Sequence, residues 1–310
     1  MTGYLVTCSG EIWQLPPLFS WKLERTDGDP CDSAEVSFLY EPQRLDVLKK
    51  AVRIRLTRDG ETAFFGVVDE ITPSVTAQGK TVSLSARSLA ALMMDTELRA
   101  AAYPVLTEQD AIARFANSCG VDRCERGGLP PVRDFSVDTG TTCWQALYGF
   151  CRHSADIRPR MRADGTLLLQ WKRENWLLDE TSGYTALKYR LKRYGVLAEQ
   201  TVVSGKGAAE TVQNADLRAI GIAAKGVTLL QGKKTRARWR TAQQRLEDSA
   251  RDSAILTVSL PGSFAAEPGD RVTVNLPSAG ISGSFLLRSV CEQCAAAEQS
   301  CTLELEGSLR

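Results

Sequence analysis

A single histidine in 310 residues makes His153 the only imidazole available for general acid–base work. It follows an amphipathic run and lies between Arg152 and Ser154, where a capping or solvent-facing ring is expected rather than a general base. No Gly-x-Ser-x-Gly elbow is present, and Ser204-Gly205-Lys206-Gly207 lacks the upstream glycine with which a P-loop cradles phosphate. An excess of charge of either sign is also missing. Lys and Arg number 38 against 37 Asp and Glu, a net charge of +1, so no bulk field draws the chain to nucleic acid or to an anionic membrane. Nor does any stretch approach the roughly 18 consecutive apolar residues of a membrane span. Met1 to Leu18 has no basic n-region and is interrupted by Ser9, Gly10, Glu11 and Pro16-Pro17, unlike a signal peptide. Polar low-complexity tracts are absent as well. The expectation is a folded, soluble, cytoplasmically made protein with no membrane partner, no specific nucleic-acid binding, no cofactor and no catalytic residues.

Nine cysteines are present, an odd number that fits reduced thiols in a cytosolic product better than a disulfide framework. Cys119, Cys124, Cys143, Cys151 and His153 fall in one segment and offer the soft donors zinc prefers. Cys119 and Cys151, however, occupy the apolar faces of expected helices, where a thiol fills a core, so no metal site is assigned. Cys291-Glu292-Gln293-Cys294 has the C-x-x-C spacing without the second pair of a structural zinc site or the helix start of a redox motif. Asp134, Asp138, Asp164 and Asp179 lie in turns, without the paired arrangement of a glycosidase. Trp171 and Trp176 are read as packing residues. Two basic runs, Lys188/Arg190/Lys192/Arg193 and Lys233/Lys234/Arg236/Arg238/Arg240, are read as solvated faces.

Hydrophobic periodicity divides the chain. Over residues 1–99 apolar residues alternate with period two, as in Val52-Arg53-Ile54-Arg55-Leu56 and Thr81-Val82-Ser83-Leu84-Ser85, with turns at Arg58-Asp59-Gly60 and Gln78-Gly79-Lys80. This predicts a small antiparallel β-barrel or sandwich, with Ser88 to Met94 turning helical. Over 100–180 the period becomes helical. Thr107-Glu108-Gln109-Asp110 resembles a capping box before Ile112, Phe115, Ala116 and Cys119, and Gly120 stops that helix. Thr141 or Thr142 caps a second helix bearing Trp144, Leu147, Tyr148 and Cys151, and Asp164-Gly165 turns a hairpin, giving a small α+β insertion. Over 181–310 strands return, with a helix near 241–254 capped from Thr241-Ala242-Gln243-Gln244. The fold class is therefore mainly β with an α+β insertion and two similar small antiparallel β-barrel modules.

The likeness of the two ends carries most information. Val52 to Leu56, Phe65 to Val68 and Val82 to Leu84 follow the same course as Val272 to Leu276, Phe285 to Leu287 and Leu303 to Leu305. The offset is 220 for Val52/Val272 and Phe65/Phe285 and 221 for Leu84/Leu305, which argues for a duplicated module.

Phe64-Phe65-Gly66-Val67-Val68, followed by Val82-Ser83-Leu84-Ser85-Ala86-Arg87, resembles the first barrel of phage baseplate hub proteins of the late-control D type. Thr107 to Gly120 and Trp144 to Leu169 resemble that family's inserted α+β domain. Ala266-Glu267-Pro268-Gly269-Asp270-Arg271-Val272-Thr273-Val274 and Gly283 to Val290 resemble its last strands. The order of these motifs along nearly the whole chain carries the resemblance. It implies a homotrimer, in which three duplicated chains form a ring of six similar barrels that adapts a six-fold tail tube to a three-fold spike. The implied partners are the tail tube protein, the central spike protein, the tape measure protein and the baseplate wedge proteins. The implied location is the tail baseplate of a virion or of a related contractile injection system or tailocin, assembled in the host bacterial cytoplasm. No needle, peptidase or muramidase segment is recognised, so wall digestion is expected of a partner. The alternatives are a tail-associated cell-wall hydrolase, for which no convergent acid, base or nucleophile is nominated, and a carbohydrate-binding adhesin module.

Overall fold

The computed structural model describes residues 1–204, 207–230, 238–251, 253–296 and 298–307. The chain is mainly β and parts into two compact units, Met1–Arg173 with Val290–Cys301 and Glu174–Ser289 with Thr302–Arg310.

In the first unit, β1 (Thr2–Thr7), β2 (Ile12–Gln14), β3 (Leu18–Thr26), β4 (Ser33–Leu39), β5 (Ala51–Arg58), β6 (Glu61–Thr76) and β7 (Gly79–Ser88) pair antiparallel, with helix α1 (Leu45–Lys50) ahead of β5. Alternation decides which side chains go inward. Ile54 and Leu56 are sealed while Arg53 and Arg55 point away from them, and Leu5, Phe38, Phe64 and Leu84 complete the same core. The β5–β6 turn uses Asp59 and Gly60, both at positive φ (51° and 87°), as a two-residue hairpin with matching twist requires. Gly66 is needed for a second reason. A Cβ there would lie 2.1 Å from the Arg87 carbonyl oxygen, so no larger residue fits between β6 and β7.

The α+β segment of this unit has its own core, built on α2 (Ala90–Met94), β8 (Ala101–Leu106), α3 (Glu108–Ala111), β9 (Cys124–Glu125), β10 (Val132–Val137), α4 (Cys143–Ala155), β11 (Arg160–Met161) and β12 (Leu167–Leu168). Thr107 caps α3 in a capping box with Asp110, as the sequence predicts. The helix beyond is not regular: it widens to a π turn over Ile112–Ala116, tightens to a 3-10 turn over Asn117–Cys119 and stops at left-handed Gly120. Thr142, of the two threonines proposed, caps α4 through a box with Gln145. The Asp164-Gly165 turn joins β11 to β12.

The second unit contains β13 (Asn175–Asp179), β14 (Ala186–Leu191), β15 (Glu199–Ser204), β16 (Ala209–Gln213), α5 (Ala215–Ala219), β17 (Lys225–Leu230), α6 (Arg238–Ala250), β18 (Ala254–Pro261), β19 (Arg271–Leu276), β20 (Ile281–Ala295) and β21 (Glu298–Gly307). The tip of the β20–β21 hairpin belongs to the first unit. One prediction is corrected here. Thr241 does not start a helix, because α6 is already running at Arg238, so the backbone N–H groups that a cap would satisfy are taken up inside the helix. The helix also stops at Ala250, and Ala254 opens a strand instead of closing it.

The duplication is visible as topology. The strands of the first unit lie in the order β3-β4-β7-β6-β5-β1 and those of the second in the order β14-β18-β21-β20-β19-β13. Numbered by their place along the chain, these six run 2-3-6-5-4-1 in both. Two details depart from a uniform repeat. The first strand is antiparallel to its neighbour in one unit (β1 on β5) and parallel in the other (β13 on β19). The offset of 220 holds for Ile54/Val274 and Leu56/Leu276 but not for Phe65/Phe285. Ile54 faces Gly66 and Leu56 faces Phe64, whereas Val274 faces Gly283 and Leu276 faces Ile281, so the second hairpin is three residues shorter and Gly66 corresponds to Gly283. A shift by an odd number reverses the faces, which is why Phe285 is buried while Phe65 stands on the side away from Phe64.

Candidate assembly interface

Of the residues singled out for chemistry, Cys119 and Cys143 meet through a hydrogen bond between their thiols, without a gathered set of donors around them among the described residues. Among the described residues no three His, Cys, Asp or Glu side chains gather as metal donors. His153 stands exposed in the last turn of α4 with its ring edge-on to Phe135. Cys143 and Cys151 are packed in the α+β core, and burial pushes both thiols up to about 12. Burial likewise holds Cys31 and Cys124 up at about 11, so all four are core or rim thiols in their neutral form. Asp164 accepts from the Thr166 amide and Asp179 caps the turn at Thr181, both as turn residues. Trp171 carries the Arg160 guanidinium over its ring, and Trp176 donates from Nε1 to buried Asp270, which also accepts the Glu174 and Glu267 amides. Gly205 and Lys206 of the glycine-lysine run, and Lys233, Lys234 and Arg236 of the second basic run, lie outside the described residues, as does Ala297 in the turn after Cys294.

What the fold builds instead is a covered strand edge. In the first unit β3 is flanked by β4 on one side and by β20 on the other. Glu292, within the Cys291-to-Cys294 run, is 4% exposed there and holds Arg58 through both guanidinium nitrogens at 2.9 and 3.4 Å. Arg25 adds a second cation at 3.8 Å, and Arg58 also lies over the Trp21 ring. The importance of that run thus rests on the carboxylate between the thiols, a role no spacing rule in the sequence announces. With the edge covered, Trp21 and Leu23 on β3 are only 7% and 2% exposed. On the opposite face of this sheet Ser20, Lys22, Glu35, Ser37, Glu70 and Thr72 help line an open cavity of about 450 Å³. Lys22 is held above its ordinary pKa, first by its hydrogen bond to Glu24.

The matching edge of the second unit is bare. Among the described residues β14 stands last in its sheet with only β18 beside it. Its inward row, Leu187, Tyr189 and Leu191, corresponds to the row containing Trp21 and Leu23, yet Tyr189 is 39% and Leu191 57% exposed. The first basic run falls here, with Lys188 and Arg190 on the other, polar face. A second bare edge lies on β6. β5 pairs with it only as far as Val67, and from Val68 to Thr76 it pairs with β7 alone among the described residues.

No protein-family model matches the sequence, and no curated protein matches it. Solved structures do. A tail protein from Neisseria meningitidis MC58 is 17% identical and superposes with a TM-score of 0.80, over 99% of this chain and 96% of its own. The 43 kDa tail protein of prophage MuSo2 from Shewanella oneidensis is 14% identical with a TM-score of 0.79, over 98% of each chain. The E. coli c3393 protein, a type VI secretion component described as structurally similar to the T4 bacteriophage tail proteins gp27 and gp5, is 11% identical with a TM-score of 0.52, over 93% of this chain and 73% of its own. The chain therefore has the fold of phage tail proteins.

Proposed function

We propose that this protein is a structural, non-enzymatic subunit of a phage tail or phage-derived injection particle, and that three copies form the baseplate hub ring joining a six-fold tail tube to a three-fold spike. The observation that carries this reading is the repeated strand order. A chain that presents the same six-strand module twice gives a trimer six similar contact surfaces on one rim and three identical ones on the other. The fold shared with tail proteins over nearly the full length of two of them supports the setting. Its partners are then the tail tube protein on one side and the central spike on the other, with the tape measure protein and baseplate wedge proteins around them, and its place is the tail baseplate, reached by assembly in the host bacterial cytoplasm. The mechanism is symmetry matching between stacked rings. Native mass spectrometry of the purified chain tests it: a three-chain mass is expected, and a single chain at every soluble concentration would contradict it.

A further inference from the structure

The two bare edges are complementary, and the covered one shows how. In the first unit the edge of β3 is closed by β20, the long strand that continues past its β19 partner. The strand corresponding to β20 in the repeat is β6, which continues past its β5 partner in the same way. The strand corresponding to β3 is β14. Covering and covered strands are thus each present twice, and among the described residues one pair has no partner within the chain.

We infer that the free edge of β6, Glu70 to Thr76, adds to the free edge of β14, Ala186–Leu191, of a second copy of this chain, repeating between copies the contact that β20 makes with β3. The inference rests on the ring reading above and names the surface that closes the ring. Three features of the two edges fit it. Each carries an apolar row that ends in exposed side chains: Ile71, Pro73 and Val75 on β6, the last 66% exposed, and Leu187, Tyr189 and Leu191 on β14, the last two 39% and 57% exposed. The polar rows are of opposite character, Glu70, Thr72 and Ser74 against Lys188 and Arg190. Along each edge the backbone N–H and C=O groups have no partner strand among the described residues, save that Pro73 contributes no donor. The contact is heterologous, because the donor edge and the acceptor edge are different surfaces, so each chain gives one and receives one.

Two surface variants test this, Val75→Asp on β6 and Leu191→Glu on β14, each at an exposed position outside the cores. With the wild type assembling as three chains, each variant alone is expected to run as a single chain whose circular dichroism spectrum matches that of the dissociated wild type. An equimolar mixture is expected to form a two-chain species, because each variant keeps one intact edge. Rings formed by either variant would overturn this interface while leaving the ring reading in place, whereas a wild type that never leaves the single-chain mass overturns both. Amide hydrogen exchange on the wild type needs no substitution. Slowed exchange at 70–76 and 186–191 on assembly is expected, and exchange there as fast as in the dissociated chain would overturn the inference.

Discussion

Glu292 shows how much can depend on one side chain. A carboxylate buried among the strands of the first unit is tolerated because Arg58 meets it through two nitrogens and Arg25 adds a second cation. Removing the acceptor takes away the carboxylate that both arginines share. Glu292→Ala is expected to lower stability by about 3 kcal/mol, toward the modest end for broken buried pairs because Arg58 keeps some access to solvent. Urea denaturation read from tryptophan fluorescence checks this, and a loss below about 0.5 kcal/mol would show the pair to be incidental. Gly66→Ala should cost about 1 to 3 kcal/mol, since its Cβ would meet the Arg87 backbone rather than a flexible side-chain end. The thiols give a third expectation. Cys143 and Cys151, buried and held up to about 12, should resist iodoacetamide in the folded chain at pH 8 while exposed Cys8 reacts. Mass mapping of labelled peptides decides it, and modification of Cys151 before unfolding would contradict its placement. The burial of Cys151 was legible from its place on the apolar face of a helix, whereas the Glu292 ion pair and the close approach at Gly66 were not. Arg58 and Glu292 are 234 positions apart, and local spacing rules reach only a few residues.

Elements were more legible, where local chemistry alone decides them. The capping boxes at Thr107 and Thr142 need only a hydroxyl and a reciprocal acceptor three residues on, and both form. Thr142→Ala should therefore destabilise by about 1 kcal/mol, with the loss confined to unfolding of the α+β segment. Hydrogen exchange across Cys143–Ala155 reads this directly, and unchanged protection in the first turn of α4 would argue against the cap. Thr241 carries the same signal and fails, because α6 has already begun at Arg238. A capping pattern marks a start only where nothing helical precedes it. The π turn over Ile112–Ala116 was invisible for a related reason. The spacing of Ile112, Phe115 and Ala116 suits an α-helix as well as the wider π turn that forms, so it does not distinguish the two. Strand alternation was read correctly at Ile54 and Leu56, while the matching of Phe65 with Phe285 failed because a hairpin three residues shorter moves the register.

At the scale of the whole chain the sequence suggested a duplication from apolar spacing, and the topology expresses it more fully than spacing can. Six strands recur in the same spatial order, although an inserted sheet of β15 to β17 separates two of them in the second unit and their identities have diverged. The two copies differ in what borders them. β3 is covered and, among the described residues, β14 is not, and Tyr189 and Leu191 on β14 stand exposed. The proposed ring of three chains accounts for the repeat and for the edges left without a partner strand among the described residues. Its most direct test is electron microscopy of the purified protein. Averaged end-on views should show a three-fold ring with six similar lobes around a central channel, and views of isolated particles with one or two lobes would contradict the account.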